Sequence, residues 1–580
     1  MPVATGTTNG STEPGPDPLP SPQAGPSPEG GPEPAPSSRS GRMMRSSAVM
    51  AVGTLVSRVT GFVRTIVLAA ALGTHLLGDA YNAANTIPFV INDLLIGGLM
   101  ASVIVPLLVK RRKRDADGGK ATEDRLFTGA LVLLVVMTTV AILVAEWLVR
   151  AYASGFEPRQ AEVSVILARY LLVQILFVGM SGLISAMLNT RDKFGAPVWA
   201  PVLNNLVIIA VGATFLMVSG PGRTPDTVTD SELLLLGAGT ACGMVLQTIV
   251  LVGSLWRSGY RWRPRLDLRG SGLGEAVRTA GWMMVYTCMT QVNFLITTNI
   301  ASRAGVASVE SGAEVGAGIT AYNYAYQLFQ LPYAIIAVSL ITVLLPQMSD
   351  FAADRRWDEV RGGFSRTLRV SALVLVPLSL AIALYAVQVS VLVFARGNTS
   401  TADAANIGTV LAVMSLGLVP FTIFQLMLRV FYALSDTRTP ALLGLGNVVV
   451  HGVLAVTAYL VLPPSQVVVG VAGGFMVSYL TGLLIGGAVL SRRLGGLDGR
   501  RILGSLLRLY LASVPCVAAG AGVLWFFTDR FGEGLVTNIG APVVGCLVGG
   551  LLFLAFAKLL RIRELDSVVE LVRSKVGRRG

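Results

Sequence analysis

Residues 110–120 read KRRKRDADGGK, and residues 127–145 read FTGALVLLVVMTTVAILVA. The second block carries no charge and is close to the ~20 apolar residues that a helix needs to cross about 30 Å of hydrocarbon. The first is a strongly basic loop, of the kind retained on the cytoplasmic side of a membrane. Together they predict a helix centred near Val135 that leaves the cytoplasm through a bilayer.

Working outward from Val135, the same grammar repeats along the chain. Apolar runs centre near Val59, Gly98, Val135, Ile175, Leu206, Met244, Tyr286, Ile336, Leu380, Leu416, Leu454, Tyr479, Val514 and Gly550. These predict an all-α polytopic membrane protein of about fourteen transmembrane helices. Loop charge tests the reading. With the N-terminus inside, the connections after odd-numbered spans should lie outside and be poor in Lys and Arg. GTHLLGD and LPPSQ contain none, and the others hold only Arg150 and Arg159, Arg223, Arg303, Arg396 and Arg530. The inside connections are KRRKRDADGGK, NTRDKFG, RSGYRWRPRLDLRG, DRRWDEVRGGFSR, SDTRTP and SRRLGGLDGRR, and the chain ends RSKVGRRG. Both termini are therefore expected in the cytoplasm.

Bulk composition agrees. Of 580 residues, 53% are hydrophobic and only 14% charged, against about 25% charged in soluble domains. The net charge of +13 sits in short clusters on separate loops, which topology explains and which argues against a nucleic-acid partner. Cys242, Cys288, Cys516 and Cys546 stand singly in apolar stretches. They form no CxxC, so no zinc site or redox pair is indicated. His75 and His451, the only histidines, read with them as packing or loop residues. No metal and no cofactor is expected. Residues 1–44 hold a Pro/Gly/Ser/Glu tail that cannot bury a core and lacks the pattern of a signal peptide.

The sequence also contains an internal echo. LNTRDKFGAPVWAPVLNN (188–205) follows span four and ALSDTRTPALLGLGNVV (433–449) follows span ten; placing Pro197 on Pro440 puts Asn204 on Asn447. SVIVPLL around Pro106 and TVLLPQM around Pro346 echo at the same six-span offset. An even offset predicts two parallel halves, an arrangement of transporters that bind at the interface between repeats. The expected divisions are 45–265 for the first six-helix lobe, 266–495 for the second, 496–562 for an added helix pair and 563–580 for a basic tail.

Ionisable groups at membrane depth are costly and mark sites. Span one holds Arg58 and Arg64, which a straight helix would point about 120° apart; a bend at Gly61 would aim both at one cavity. Span two holds Asn92 and Asp93, span four Arg169, span seven Gln291, Asn293, Thr297 and Asn299, span eight Asn323, Tyr324, Tyr326, Gln327 and Gln330, and span ten Gln425 and Arg429. Their concentration in spans one, two, seven and eight falls on equivalent pairs of the repeat.

LVSRVTGFVR, GDAYNAANTIP, SVIVPLL, YAYQLFQLP, VLLPQMSD, SLGL and RVFYALSDTRTP, taken together, resemble the MurJ (MviN) family of lipid II flippases, in an actinobacterial form, from about Ser46 to Leu560. The resemblance implies a fold of the multidrug/oligosaccharidyl-lipid/polysaccharide superfamily: two six-helix lobes around a central cavity, plus two helices that add a lipid-facing groove. It implies a transporter of the inner membrane, not an enzyme. The substrate would be undecaprenyl-diphosphate-linked disaccharide-pentapeptide, moved between leaflets by alternating access. Partners would be that lipid, the bilayer and cell-wall synthesis proteins. A diphosphate in a dry cavity needs charge-assisted donors, and Arg58, Arg64, Asn92, Asp93, Tyr324 and Gln327 are the expected substrate-binding residues. The chain departs from the enterobacterial pattern at three positions. That pattern has arginine where Asn92 and Gln327 stand, and an acid where Thr65 follows Arg64. Competing readings are an exporter of another polyprenyl-linked glycan, a scaffold of the cell-wall machinery, and a lipid-linked glycosyltransferase. The last would need carboxylates in a large outside loop, which the sequence lacks.

Overall fold

The computed structural model describes residues 36–94, 119–220, 222–265, 273–312, 315–562 and 564–565. Helices account for nearly all of these residues, and no strand occurs among them. In chain order they are α1 (Pro36–Leu72), α2 (Leu76–Asn92), α3 (Lys120–Leu143), α4 (Ala145–Tyr152), α5 (Pro158–Leu171), α6 (Gln174–Asn189), α7 (Gly195–Ser219), α8 (Asp230–Arg257) and α9 (Leu273–Glu310). Then follow α10 (Ile319–Pro332), a π-helical turn (Tyr333–Ala337), α11 (Val338–Ala353), α12 (Trp357–Phe394), α13 (Thr401–Leu416), α14 (Leu418–Ala433), α15 (Arg438–Val461), α16 (Val467–Leu494), α17 (Gly499–Phe531) and α18 (Leu535–Leu559).

Ten helices among the described residues are long and apolar enough to cross a membrane, and α13 with α14 adds an eleventh span bent by 50°. Every expected centre falls in or at a helix except Gly98, which lies outside the described residues. The solvent logic is inverted relative to a soluble protein. Leu503, Leu507, Leu511 and Val514 of α17 and Val543, Leu547, Leu551 and Leu554 of α18 are exposed, while Asp79, Glu123, Asn204 and Asn205 are buried. Soluble proteins rarely expose apolar patches of that extent. In a bilayer the outward stripe meets lipid and the polar groups pair inside.

The internal echo is a structural repeat. The offset that carries Pro197 onto Pro440 also carries Asp192 onto Ser435, and both adopt φ 57°. Each turn closes with the same bond: Lys193 N–H donates to the Leu188 carbonyl (3.0 Å), and Asp436 N–H to the Phe431 carbonyl (2.9 Å). This left-handed cap satisfies carbonyls that a helix end leaves open. The offset that carries Pro106 onto Pro346 carries Asp93 onto Tyr333, and a π-helical turn begins at each. Helix contact is repeated too. Gly243 on α8 lies against the amide of Asn204 on α7, and Gly482 on α16 against the amide of Asn447 on α15; a Cβ at either glycine would collide with it.

The last two helices pack on each other and on α12. Between them runs an apolar cavity of about 660 Å³ with Leu373, Tyr385, Cys516, Gly545 and Leu565 in its wall.

Candidate functional site

Ser57, Thr60, Gly61, Arg64 and Thr65 recur at helical spacing and form one face of α1, which meets Asn205 of α7. The Asn205 amide donates to the Ser57 carbonyl and to Thr60 Oγ1, each at 3.1 Å. Its Oδ1 accepts from Arg64 Nη1 at 3.1 Å. Asn205 therefore spends both ends of its amide in fixing Arg64. One residue on, Thr65 Oγ1 donates to Gln327 Oε1 of α10 at 2.6 Å, so α1 bridges the two halves at membrane depth. Tyr81 and Tyr324 lie within electrostatic reach of the Arg64 guanidinium. Tyr81 is held by Thr240 (2.9 Å), and the Tyr324 ring stacks on Phe394 with centroids 5.3 Å apart.

Arg64 has five N–H donors, and Asn205 takes one. Among the described residues it makes no ion pair. A part-buried cation without a carboxylate is an unfavourable arrangement unless an anion visits it. The chemistry on offer is capture of a phosphate-type anion, assisted by phenol hydroxyls and the Gln327 amide.

The structure gathers Arg64, Tyr324 and Gln327 and leaves the other expected residues apart. α1 runs as one helix through Gly61. Arg58 is exposed and makes no hydrogen bond or ion pair among the described residues. Asn92 is buried, and its amide donates to the Ile175 carbonyl of α6 at 2.8 Å, which makes it an interhelical tie here. Asp93 is exposed, with the Gln291 amide in reach. Arg169 and Arg429 are both exposed. Arg429 faces Tyr286, Tyr333 and Tyr432, away from Arg64's partners.

Sequence reading passed over Asn205, although it stands beside Asn204 in the quoted repeat. It also passed over a clasp at the face with the Lys/Arg-poor loops. There the end of α1 is held by the loop before α13. Asn398 N–H donates to the Ala70 carbonyl (2.8 Å), Asn398 Nδ2 to the Ala71 carbonyl (2.6 Å) and Thr399 Oγ1 to the Ala69 carbonyl (2.7 Å). Asp79 of α2 accepts from Thr320 N–H at 2.7 Å. It fits only because Gly318 has no side chain: a Cβ there would overlap the carboxylate. His75, taken from sequence as a loop or packing residue, stands 3.3 Å from the buried Asp403 carboxylate, which also accepts from Gly316 N–H at 2.7 Å. The Asp403 hydrogen bond raises the His75 pKa above its ordinary 6.5 against the opposing effect of partial burial. His451 is buried, with Asn293 at 2.7 Å, as a packing residue should be.

Comparison with known proteins follows the same line. The family model described as lipid II flippase MurJ matches residues 68–543. A probable lipid II flippase MurJ of Rhizobium meliloti is 27% identical over 490 residues, spanning 82% of this chain and 86% of that protein. A lipid II flippase MurJ of Burkholderia cenocepacia is 29% identical over 404 residues, spanning 68% and 74%. Among solved structures, a lipid II flippase MurJ in an inward closed conformation superposes with TM-score 0.70 at 18% identity, covering 90% of this chain and all of that one. An inward-facing multidrug resistance MATE family transporter of the MOP superfamily gives TM-score 0.60 at 16% identity, covering 76% and 96%.

Proposed function

The chain belongs to the lipid II flippase MurJ family, and from that premise we propose that it carries undecaprenyl-diphosphate-linked disaccharide-pentapeptide from the inner to the outer leaflet by alternating access, without changing it covalently. The observation that carries the reading at residue level is Arg64: a part-buried cation, held by a neutral amide, with four donors unspent. Arg64 is the diphosphate anchor, the Gln327 amide and the Tyr324 hydroxyl assist, and Asn205 positions the anchor. Arg58, Asn92 and Asp93 belong to the wider path of the headgroup. The clasp of Asn398, Thr399, Asp403 and Asp79 shuts the outer side, so that substrate enters from within. The lobes at 45–265 and 266–495 move against each other, the pair 496–562 adds the lipid-facing groove, and both termini lie in the cytoplasm of a bacterial inner membrane.

Two departures from the enterobacterial pattern support this assignment, because they meet. Thr65 stands where that pattern has an acid and Gln327 where it has an arginine, and the two side chains bond each other. An acid and an arginine at these positions would carry opposite charges where Thr65 and Gln327 carry none, so the net charge of the pair is the same in both. Arg64 is then the unpaired cation of the site in either version.

The test is a strain depending on this protein. Its depletion should trap lipid II on the inner leaflet. Arg64→Ala should fail to restore growth at normal membrane abundance. Arg64→Lys should restore it only in part, since an ammonium loses the planar fork that bridges two oxygens. Normal growth of Arg64→Ala would move the anchor elsewhere. Reporter fusions at Asp115, Asp267 and Leu497 should read cytoplasmic, and at Asp226, Ser311 and Thr399 external; Asp267 outside would overturn the topology.

A further inference from the structure

Arg429 is a second cation, and the site at Arg64 does not use it. It lies on α14, four residues before the end that meets the basic loop SDTRTP, which is about 6 Å of helix rise. Three tyrosines from three elements lie within electrostatic reach of it: Tyr286 of α9, Tyr333 at the start of the π-turn and Tyr432 of α14 itself. Two of these rings are held in place. The Tyr286 ring rests on Gly444 of α15, where a Cβ would come within 2.9 Å of it. The Tyr333 ring packs edge-on against Phe421, with centroids 4.9 Å apart. Yet neither the guanidinium nor any of the three hydroxyls makes a hydrogen bond or ion pair with a partner among the described residues. The repeat shows that packing does not require the cation. The offset that carries Pro197 onto Pro440 carries Ala186 onto Arg429, and in the first lobe that position is a buried alanine of α6.

Fixed rings that present unspent donors around a guanidinium suit a group that only accepts. A carboxylate or phosphate accepts at every lone pair and donates nothing, whereas a sugar hydroxyl must also donate, and a guanidinium cannot accept. Depth separates the two anions. Arg64 lies eight residues before the outer end of α1, about 12 Å of rise, so across a core of about 30 Å the two arginines stand at levels on the order of 10 Å apart. One small diphosphate belongs to one level. A pentapeptide attached beside it extends up to about 17 Å and so reaches the other. Resting on the transport reading above, we propose that Arg429, with Tyr286, Tyr333 and Tyr432, binds a carboxylate of the pentapeptide while Arg64 holds the diphosphate. Arg429 then reads the peptide, a part of the headgroup that the Arg64 site leaves unread.

The full chain, purified in mild detergent, is titrated with three lipids, and binding is read by native mass spectrometry. They are the complete undecaprenyl-diphosphate-linked disaccharide-pentapeptide, the same lipid with its peptide carboxylates amidated, and undecaprenyl diphosphate alone. The wild type should prefer the complete lipid to the amidated one on the order of thirtyfold, the worth of one hydrogen bond to a charged group. Arg429→Gln should abolish that preference and leave affinity for the amidated and peptide-free lipids unchanged. Tyr333→Phe, which keeps the ring and its packing, should cut the preference about fivefold, so the test stays readable if Arg429→Gln does not fold. Arg64→Ala should weaken all three lipids alike. Equal affinity of the wild type for the complete and amidated lipids would overturn the proposal, as would a preference kept in full by Arg429→Gln or by Tyr333→Phe. Weaker binding of undecaprenyl diphosphate by Arg429→Gln would make Arg429 a second diphosphate ligand and equally sink it. Each of those outcomes leaves the transport reading standing. Failure of the wild type to bind any of the three lipids would strike that reading, and this inference with it.

Discussion

The Thr65–Gln327 contact makes the most exacting prediction, because it asks whether two departures are one change. Gln327→Arg alone places a second cation beside Arg64 with no carboxylate to meet it. A lone charge at membrane depth costs about 2.5–3.5 kcal/mol on insertion scales. Thr65→Asp alone adds a carboxylate without its partner and also draws on Arg64, which should silence transport even where the protein inserts. If the two effects were independent, the double variant would lose about 5–7 kcal/mol. The side chains are in contact across 2.6 Å, within which a carboxylate and a guanidinium can form a charge-assisted bond. Breaking such a buried pair costs about 3–5 kcal/mol, and the double variant should recover that amount as coupling. This corresponds to a factor of a hundred or more in the folded fraction. The assay is a double-mutant cycle: unfolding of the detergent-extracted protein, with growth of a dependent strain and membrane abundance measured alongside. Additive losses, or a double variant no better than the worse single, would refute the idea that the pair was exchanged as a unit.

Two further outcomes follow from the geometry. Asn92→Arg restores the remaining enterobacterial arginine, but Asn92 is buried against the Ile175 carbonyl, so the change should lower membrane abundance by an amount matching about 2–3 kcal/mol; normal abundance with enhanced transport would show that the side chain reaches the cavity. His75 should make the clasp pH-dependent. Its folded pKa is raised above 6.5 by Asp403, so its contribution is fully present below 6.5 and is lost as pH rises through the raised value. Asp79 reinforces this charge, and Arg223, which lines a cavity together with His75 and pairs with Glu232, opposes it. The midpoint of thermal unfolding should therefore fall between pH 6 and pH 8, and His75→Gln should flatten that fall; an unchanged slope in the variant would remove His75 from the clasp.

Much of the architecture was legible because it follows from rules of period two or twenty. Apolar runs located the spans, loop charge tested their count, and two pairs of prolines disclosed a repeat that extends to the φ angle of Asp192 and Ser435. The site was legible only where chemistry is loud. Arg64 announces itself as a cation in an apolar run, whereas Asn205, which fixes it, looks like any interhelical amide. The pairing of Thr65 with Gln327 spans most of two lobes and leaves no local trace. Asn92 was undecidable for the opposite reason: an amide in a helix can face a cavity or bond a neighbouring carbonyl, and the sequence is the same in both cases.

The clasp at the end of α1 has an unusual grammar. On one side it uses the side chains of Asn398 and Thr399 and the Asn398 N–H; on the other it uses only the peptide carbonyls of Ala69, Ala70 and Ala71. A peptide carbonyl is present whatever residue occupies the position. Positions 69–71 can therefore drift among small residues without consulting 398 and 399, and no co-variation will accumulate between them. A contact that helps to hold two lobes together thus leaves no statistical shadow in an alignment. The Ala70 and Ala71 carbonyls are ones a helix end would otherwise offer to water, and Ala69 keeps its bond from Gly73 N–H, so parting the clasp trades protein donors for hydration at almost equal strength. A gate built this way can be tight when shut and still open at little cost, provided that water is there to take its place.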